Sequence, residues 1–281
     1  MTETRIATIP KQMSLPLTEL VIAIKGAGEM ATGIATRLFQ ANFKHIFMVE
    51  IENPMAVRRQ VSFCEAIHDG TIEVEGVRAT RVLDVNEIPI AWENNCIPVL
   101  VDPDWKAIET IHPQVVVDAI IAKKNLGTRK EDAPLVIGLG PGFEASIDVH
   151  KVIETLRGHN LGRIIEKGCP EPNTGIPGPI GGFTSERLLR APCFGTFTAI
   201  IPLGAMVKKN DLIGHVGNQP LIAKIDGILR GLIRDNTRVK DGLKIGDIDP
   251  RGNRDYFTSI SEKARAIGGS VLEAILRGYN H

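Results

Sequence analysis

Short apolar runs alternate with helical spacing through the first half of the chain. Leu20–Lys25 reads as a strand, Met30, Ile34, Ala35 and Leu38 then fall at helix spacing, and "KHIFMVE" reads as a second strand ending in Glu50. "CIPVLVD", "QVVVDAII" and "PLVIGLG" repeat the strand pattern, with a helix around Trp105–Ile111 between the first two. Strands this uniformly apolar belong in a parallel sheet covered on both faces. "TIEVEGVRATRV" instead alternates residue by residue around Glu75-Gly76, the pattern of an antiparallel hairpin inserted into that domain.

The turn between the first strand and helix is "KGAGEMATG". Gly26 and Gly28 allow a phosphate to approach backbone, and the helix that follows presents free N–H groups and its positive dipole end. The third small position of a dinucleotide fingerprint falls on Ala31, with Gly33 two residues beyond, and Glu50 stands where an acidic residue accepts from a ribose. A turn that merely reverses the chain fits the same residues. "GLGPGF" at 138–143 places three more glycines directly after a strand, although Pro141 removes one N–H.

Beyond residue 160 the pattern changes. "EKGCPEPNTGIPGPIGGFTSERLLRAP" is too rich in Pro and Gly for a helix or a central strand, and reads as an ordered loop or a linker. Residues 191–216 then repeat at 223–248 with an offset of 32: Gly195 meets Gly227, Val207 meets Val239, Ile213 meets Ile245 and Gly214 meets Gly246. The repeat predicts a small pseudo-twofold β structure, similar to the barrel-sandwich domains of biotin and lipoyl carriers. The connection "GNQPLIA" carries no lysine, so no covalent biotin or lipoate is expected. A last helix, capped by Ser259 or Ser261, carries Ala264, Ile267, Val271, Ala274 and Ile275 as an apolar stripe, weakened by Gly268-Gly269. The expected fold is α/β: a Rossmann-like parallel-sheet domain over 18–160 after an arm at 1–17, a connecting segment at 161–190, a barrel-sandwich domain over 191–250 and a C-terminal helix within 251–281.

Composition narrows the partners. With 281 residues, 33 Lys+Arg against 33 Asp+Glu and a pI near 7.1, the chain offers no bulk field for nucleic acid or an anionic membrane. Any charged ligand must be held locally. The segment "MTETRIATIPKQMSLPLTEL" has no apolar leader core, which sets the expectation of a soluble cytoplasmic protein. Cys64, Cys96, Cys169 and Cys193 are too scattered for a disulfide framework, and the seven histidines are too dispersed for a metal cluster. Cys169, among the Pro and Gly residues, is the thiol best placed for reactivity.

Ligands of open parallel sheets bind beyond the carboxyl ends of strands. The candidate cofactor contacts are therefore Gly26, Gly28, Glu29, Gly33, Glu50, Arg58, Gly138, Gly140 and Gly142. Asp118 interrupts an apolar strand, and with Lys123 and Asn125 in the loop behind it forms the candidate reacting group; a structural Asp–Lys pair is the competing explanation.

"KGAGEMATG", "RRQVSF", "VDAIIAKKNLGT", "GLGPGF", "VIETLRGHNLGR", "NTGIPGPIGG", "ERLLRAP" and "GLKIGDIDPR" together resemble the YqeB-type accessory proteins of selenium-dependent molybdenum hydroxylase systems. The first domain is also similar to the Rossmann half of the XdhC/CoxI accessory proteins. The resemblance implies a maturation factor that binds a phosphorylated ligand, either a molybdopterin-type cofactor or NAD(P). Its implied partners are a hydroxylase subunit or other maturation proteins, with self-association open. A stand-alone NAD(P)-dependent oxidoreductase and a non-catalytic assembly chaperone are the alternatives.

Overall fold

The computed structural model describes residues 15–280, so most of the expected arm at 1–17 lies outside the described residues. Nine strands form one sheet: β1 (Ile22–Lys25), β2 (Ile46–Glu50), β3 (Thr71–Val74), β4 (Val77–Val82), β5 (Ile97–Val101), β6 (Val115–Asp118), β7 (Leu135–Leu139), β8 (Lys151–Ile153) and β9 (Ile164–Ile165). Their order is β3-β4-β5-β2-β1-β6-β7-β8-β9. Seven are mutually parallel, and the edge strands β3 and β9 run antiparallel to their neighbours. Glu75 and Gly76, both at positive φ, make the two-residue turn that joins β3 to β4.

Both faces of this sheet are covered. Ile22 and Ile24 point to a core shared with α1 (Glu29–Gln40), whereas Ala23, Phe47 and Val49 point to the opposite core. The short α2 (Ala66–Asp69) packs with the first core, and α3 (Glu87–Glu93) and α4 (Lys106–Ile111) close the second. Alternate residues of one strand thus feed two cores, which is why these strands read as unbroken apolar runs.

The rest of the chain forms two four-stranded antiparallel sheets. One has the order β10 (Leu188–Arg190), β17 (Lys244–Asp249), β15 (Gly227–Leu232), β12 (Met206–Val207). The other has the order β14 (Gln219–Ile222), β13 (Leu212–Val216), β11 (Gly195–Ala199), β16 (Arg238–Val239). The offset of 32 carries β11 onto β15, β12 onto β16 and β13 onto β17. Each repeat keeps two strands in one sheet and lends its short strand to the other, because β12 pairs with β15 and β16 with β11. The expected fold class is corrected here: the described residues form a nine-stranded, mostly parallel sheet and two antiparallel sheets, and no barrel-sandwich among them.

After α5 (Asp255–Thr258), the final helix α6 (Glu262–Tyr279) returns to the large sheet instead of closing the antiparallel ones. Ser261 caps it, accepting from the Ala264 amide at 3.3 Å. Its stripe of Ala264, Ile267, Val271, Ala274 and Ile275 is fully buried against α1. A Cβ on Gly33 would stand 2.7 Å from the Ala264 Cβ, and one on Gly268 would stand 2.8 Å from the Gly33 carbonyl and 3.2 Å from the Arg37 side chain. Residues 33 and 37 therefore meet 264 and 268 in ascending order, so the two helices run parallel at close approach. Their N-termini lie at the same end.

Candidate functional site

The strand order reverses between β1 and β6, the place where open α/β sheets hold ligands. Lys25 ends β1 directly opposite Asp118 at the end of β6. The partner that tethers this carboxylate is Thr128, whose hydroxyl donates to Asp118 Oδ2 at 2.6 Å and accepts from Lys25 Nζ at 2.9 Å. Lys25 also pairs with Asp132 at 2.9 Å and sits 3.7 Å from the Trp105 ring centre. Burial pushes the Asp118 carboxyl up and the Lys25 amine down from their ordinary values. Asn125 fixes the loop below them: its side chain accepts from the Gly127 and Thr128 amides and donates to the Thr128 carbonyl. Asp118 and Asn125 thus converge on Thr128, while Lys123 turns away from them into a cleft.

That cleft has a volume of about 450 Å³ and lies between the carboxyl end of the large sheet and the β10-β17-β15-β12 sheet. The first turn of α1 supplies Glu29 and Met30, the loop after β8 supplies Thr155, Leu156 and Arg157, and α6 supplies Ser261 and Lys263. The antiparallel sheet contributes Arg187, Arg190, Arg230, Lys244 and Asp247. The Pro/Gly stretch 171–178 forms a wall, held by Glu171 N–H donating to Glu154 at 2.7 Å and by Arg187 donating to the Gly178 carbonyl at 3.2 Å. Eight basic and three acidic side chains line the cleft, an excess of five positive charges in a chain whose formal charge is zero.

Two of the three lining acids, Asp247 and Glu29, and the neighbouring Glu154 are already engaged, while the third, Glu171, is exposed. Asp247 is shared by Arg187 and Arg230, and Arg230 also reaches Asp249 at 2.8 Å. Glu29 pairs with Arg58 Nη1 at 2.7 Å, and Arg58 Nη2 donates to the Tyr256 and Ser259 carbonyls at 2.6 and 2.9 Å. Glu154, 2% exposed, accepts one backbone amide on each oxygen. Lys244 and Lys263, by contrast, make no hydrogen bond or ion pair among the described residues. Burial lowers both amines from the ordinary lysine value; for Lys244 the Asp247 and Glu29 carboxylates pull back upward and Arg187 and Arg230 push down, and for Lys263 Arg157 pushes down, Glu29 and Glu154 pull back upward and Lys244 adds a smaller downward push. The buried Nε–H groups of Arg58 and Arg187 also find no acceptor. Leaving such donors unmet costs about 1–3 kcal/mol each.

The helix ends add to this field. α1 begins at Gly28 without a side-chain cap, and among the described residues the Glu29 and Met30 amides donate to nothing. Because α1 and α6 are parallel, the positive ends of two dipoles face the same cleft.

The remaining expected contacts fall into two groups. Gly26, at φ +87°, backs onto Ile120, and Gly28 has open space where a side chain would lie. Glu50 folds back on the turn, accepting the Ala27 amide at 2.9 Å and the Ile51 amide at 2.8 Å, with burial raising its carboxyl. Gly138, Gly140 and Gly142 are crowded by Phe143, Thr155 and the Lys124 backbone respectively, and Gly33 by α6, so packing accounts for these four glycines. Cys169 is exposed and outside the cleft. Sequence reading missed Lys25, Arg157, Arg187, Lys244 and Lys263. The one available signal was the charge inside "ERLLR" and "LKIGDID", strand-like runs where buried ions must find partners.

Among the described residues no group of three or more His, Cys, Asp or Glu is arranged to hold a metal ion. No helix there is long and apolar enough to cross a membrane.

No protein-family model matches the chain. It is 48% identical over 263 residues to YqeB of Escherichia coli (strain K12), a protein described only as uncharacterized; the match takes in 94% of this chain and 48% of that protein. The chain thus spans about half the length of this relative. Among solved structures it matches a succinylglutamate desuccinylase/aspartoacylase from Rhodobacter sphaeroides at 21% identity and TM-score 0.20, over 31% of this chain and 30% of that one. It matches the ectoine utilization protein EutE of Ruegeria pomeroyi at 13% identity and TM-score 0.23, over 76% and 61%. An aspartoacylase family protein from Mesorhizobium loti matches at 10% identity and TM-score 0.26, over 82% and 85%. At such TM-scores these likenesses carry no argument about chemistry. None of the proteins found is described as a molybdenum hydroxylase maturation factor, so the comparisons lend that expectation no support. What the chain resembles over nearly its whole length is YqeB, a protein without an assigned activity.

Proposed function

We propose that the chain binds a phosphorylated organic cofactor in this cleft, its phosphate at the N-terminus of α1 and beside Lys244 and Lys263. The observation that carries the reading is the set of unmet donors in one place: two lysines without partners, two orphaned guanidinium Nε–H groups and the uncapped first turn of α1. A fold that leaves two buried guanidinium Nε–H groups and two half-buried amines unpaired in one cleft is completed by an anion. Each oxygen of Glu50 already accepts one backbone amide and keeps a second lone pair that a ribose hydroxyl can use.

The test is a thermal-shift and calorimetric panel comparing pyrophosphate, NADP, ATP and a phosphorylated pterin with their phosphate-free counterparts. Phosphorylated members should raise the melting temperature, and a ligand at about 100 times its Kd adds about 2.7 kcal/mol. The counterparts should have no effect. A panel in which phosphate confers no advantage overturns the reading.

A further inference from the structure

Lys244 opens β17 beside Arg190, its cross-strand neighbour on β10. Every acid near it has its own guanidinium: Asp247 lies between Arg187 and Arg230, and Glu29 is held by Arg58. Lys263 faces it from the first turn of α6 across the same cleft, so a second cation stands close by; Asp247, Glu29 and Glu154 act on the two amines from a distance, and no carboxylate is in contact with either. A lysine desolvated beside other cations gives up its proton readily and presents a free electron pair, the arrangement that makes an amine a nucleophile at neutral pH. The simplest bland role, an ion-paired structural lysine, lacks the carboxylate it needs.

We propose that Lys244 is a carbonyl-reactive amine for phosphorylated aldehydes or ketones, an inference that rests on the phosphate-binding reading above. Lys244 Nζ attacks the carbonyl carbon and a C–N bond forms. The two amine protons pass to the carbonyl oxygen, which leaves as water, and a neutral C=N Schiff base results with no net oxidation or reduction. Lys263, Arg157 and the α1 N-terminus hold the phosphate and thereby place the carbonyl near Lys244.

Pyridoxal 5′-phosphate, which joins an aldehyde to a phosphate, is the probe. The full chain is incubated with it, reduced with borohydride to fix the C–N bond, digested and mapped by mass spectrometry. One label per chain is expected, on Lys244, formed at least about tenfold faster than with unphosphorylated pyridoxal because the cationic cleft concentrates the phosphate. Pyrophosphate should suppress it. Lys244→Arg, which keeps the positive charge but not the primary amine, should remove the label while the variant keeps the circular-dichroism spectrum of the unaltered chain. If that variant does not fold, the map of the unaltered chain decides alone. Labelling spread over surface lysines, concentrated on Lys263, or indifferent to pyrophosphate overturns the proposal. Stabilisation by pyrophosphate without a label on Lys244 sinks only this inference, whereas absence of that stabilisation sinks the phosphate reading beneath it.

Discussion

At the scale of single residues, the site turns on groups whose ordinary partners are missing. Gly28 occupies the N-cap of α1 in an extended conformation (φ −71°) that any residue adopts, with nothing within 4 Å of where its Cβ would be. An aspartate there would cap the helix through its own carboxylate and improve on glycine by a few tenths of a kcal/mol. The same carboxylate would fill the anion position and repel a phosphate. Gly28→Asp is therefore expected to keep or slightly raise the melting temperature while abolishing the pyrophosphate-induced shift. Loss of stability together with the shift would mean that Gly28 serves the turn and not a ligand.

At the scale of elements, the parallel contact between α1 and α6 decides where the cleft forms. Gly33 and Gly268 let the two backbones approach, and Gly269, its neighbour in α6, has nothing within 4 Å. A side chain at 33 must displace Ala264 and overpack the contact, so Gly33→Val is expected to cost about 1–3 kcal/mol. Gly269→Ala should instead gain up to about 1 kcal/mol, since it removes only the helical penalty of glycine. Chemical denaturation of the two variants checks the pair. Similar effects at both positions would contradict close helix packing. The glycines at 138, 140 and 142 belong to the same class, held by steric crowding at a strand end.

At the scale of the whole molecule, a chain of zero formal charge segregates its cations. Lys25, Lys244 and Lys263 all have amines lowered by burial from 10.5. A group with a depressed folded-state pKa contributes stability above its unfolded value and loses it as pH falls through the folded one. From these lysines, the ligand-free protein should gain resistance to unfolding as pH climbs from neutrality toward 10.5. Asp118 and Glu50, raised by burial, act with the opposite sign at the acidic end, where their contribution is lost as pH rises. Pyrophosphate favours the charged amines, so its binding should take up protons and weaken over the same alkaline window. Melting curves across that window, with Lys244→Met and Lys263→Met alongside, test this. The variants should flatten the slope, and an unchanged slope would show that the two lysines are not desolvated in solution.

Periodicity by itself located most strands of the large sheet, the β3-β4 hairpin turn at Glu75-Gly76, the 32-residue repeat and the capped final helix, because each depends on neighbours a few positions away in the chain. Only tertiary structure decided that the repeats exchange their short strands, that α6 lies parallel to α1, and that Asp118 is held by Thr128, itself bonded to Lys25, and not by Lys123. The cleft was the least legible part. Its cations come from positions 58, 123, 157, 187, 190, 230, 244 and 263, each ordinary in its local context. What sets Lys244 and Lys263 apart is partial burial without a partner, whereas Lys123, equally unpaired, is exposed; burial and partnership are fixed by distances across the fold, which no local pattern encodes.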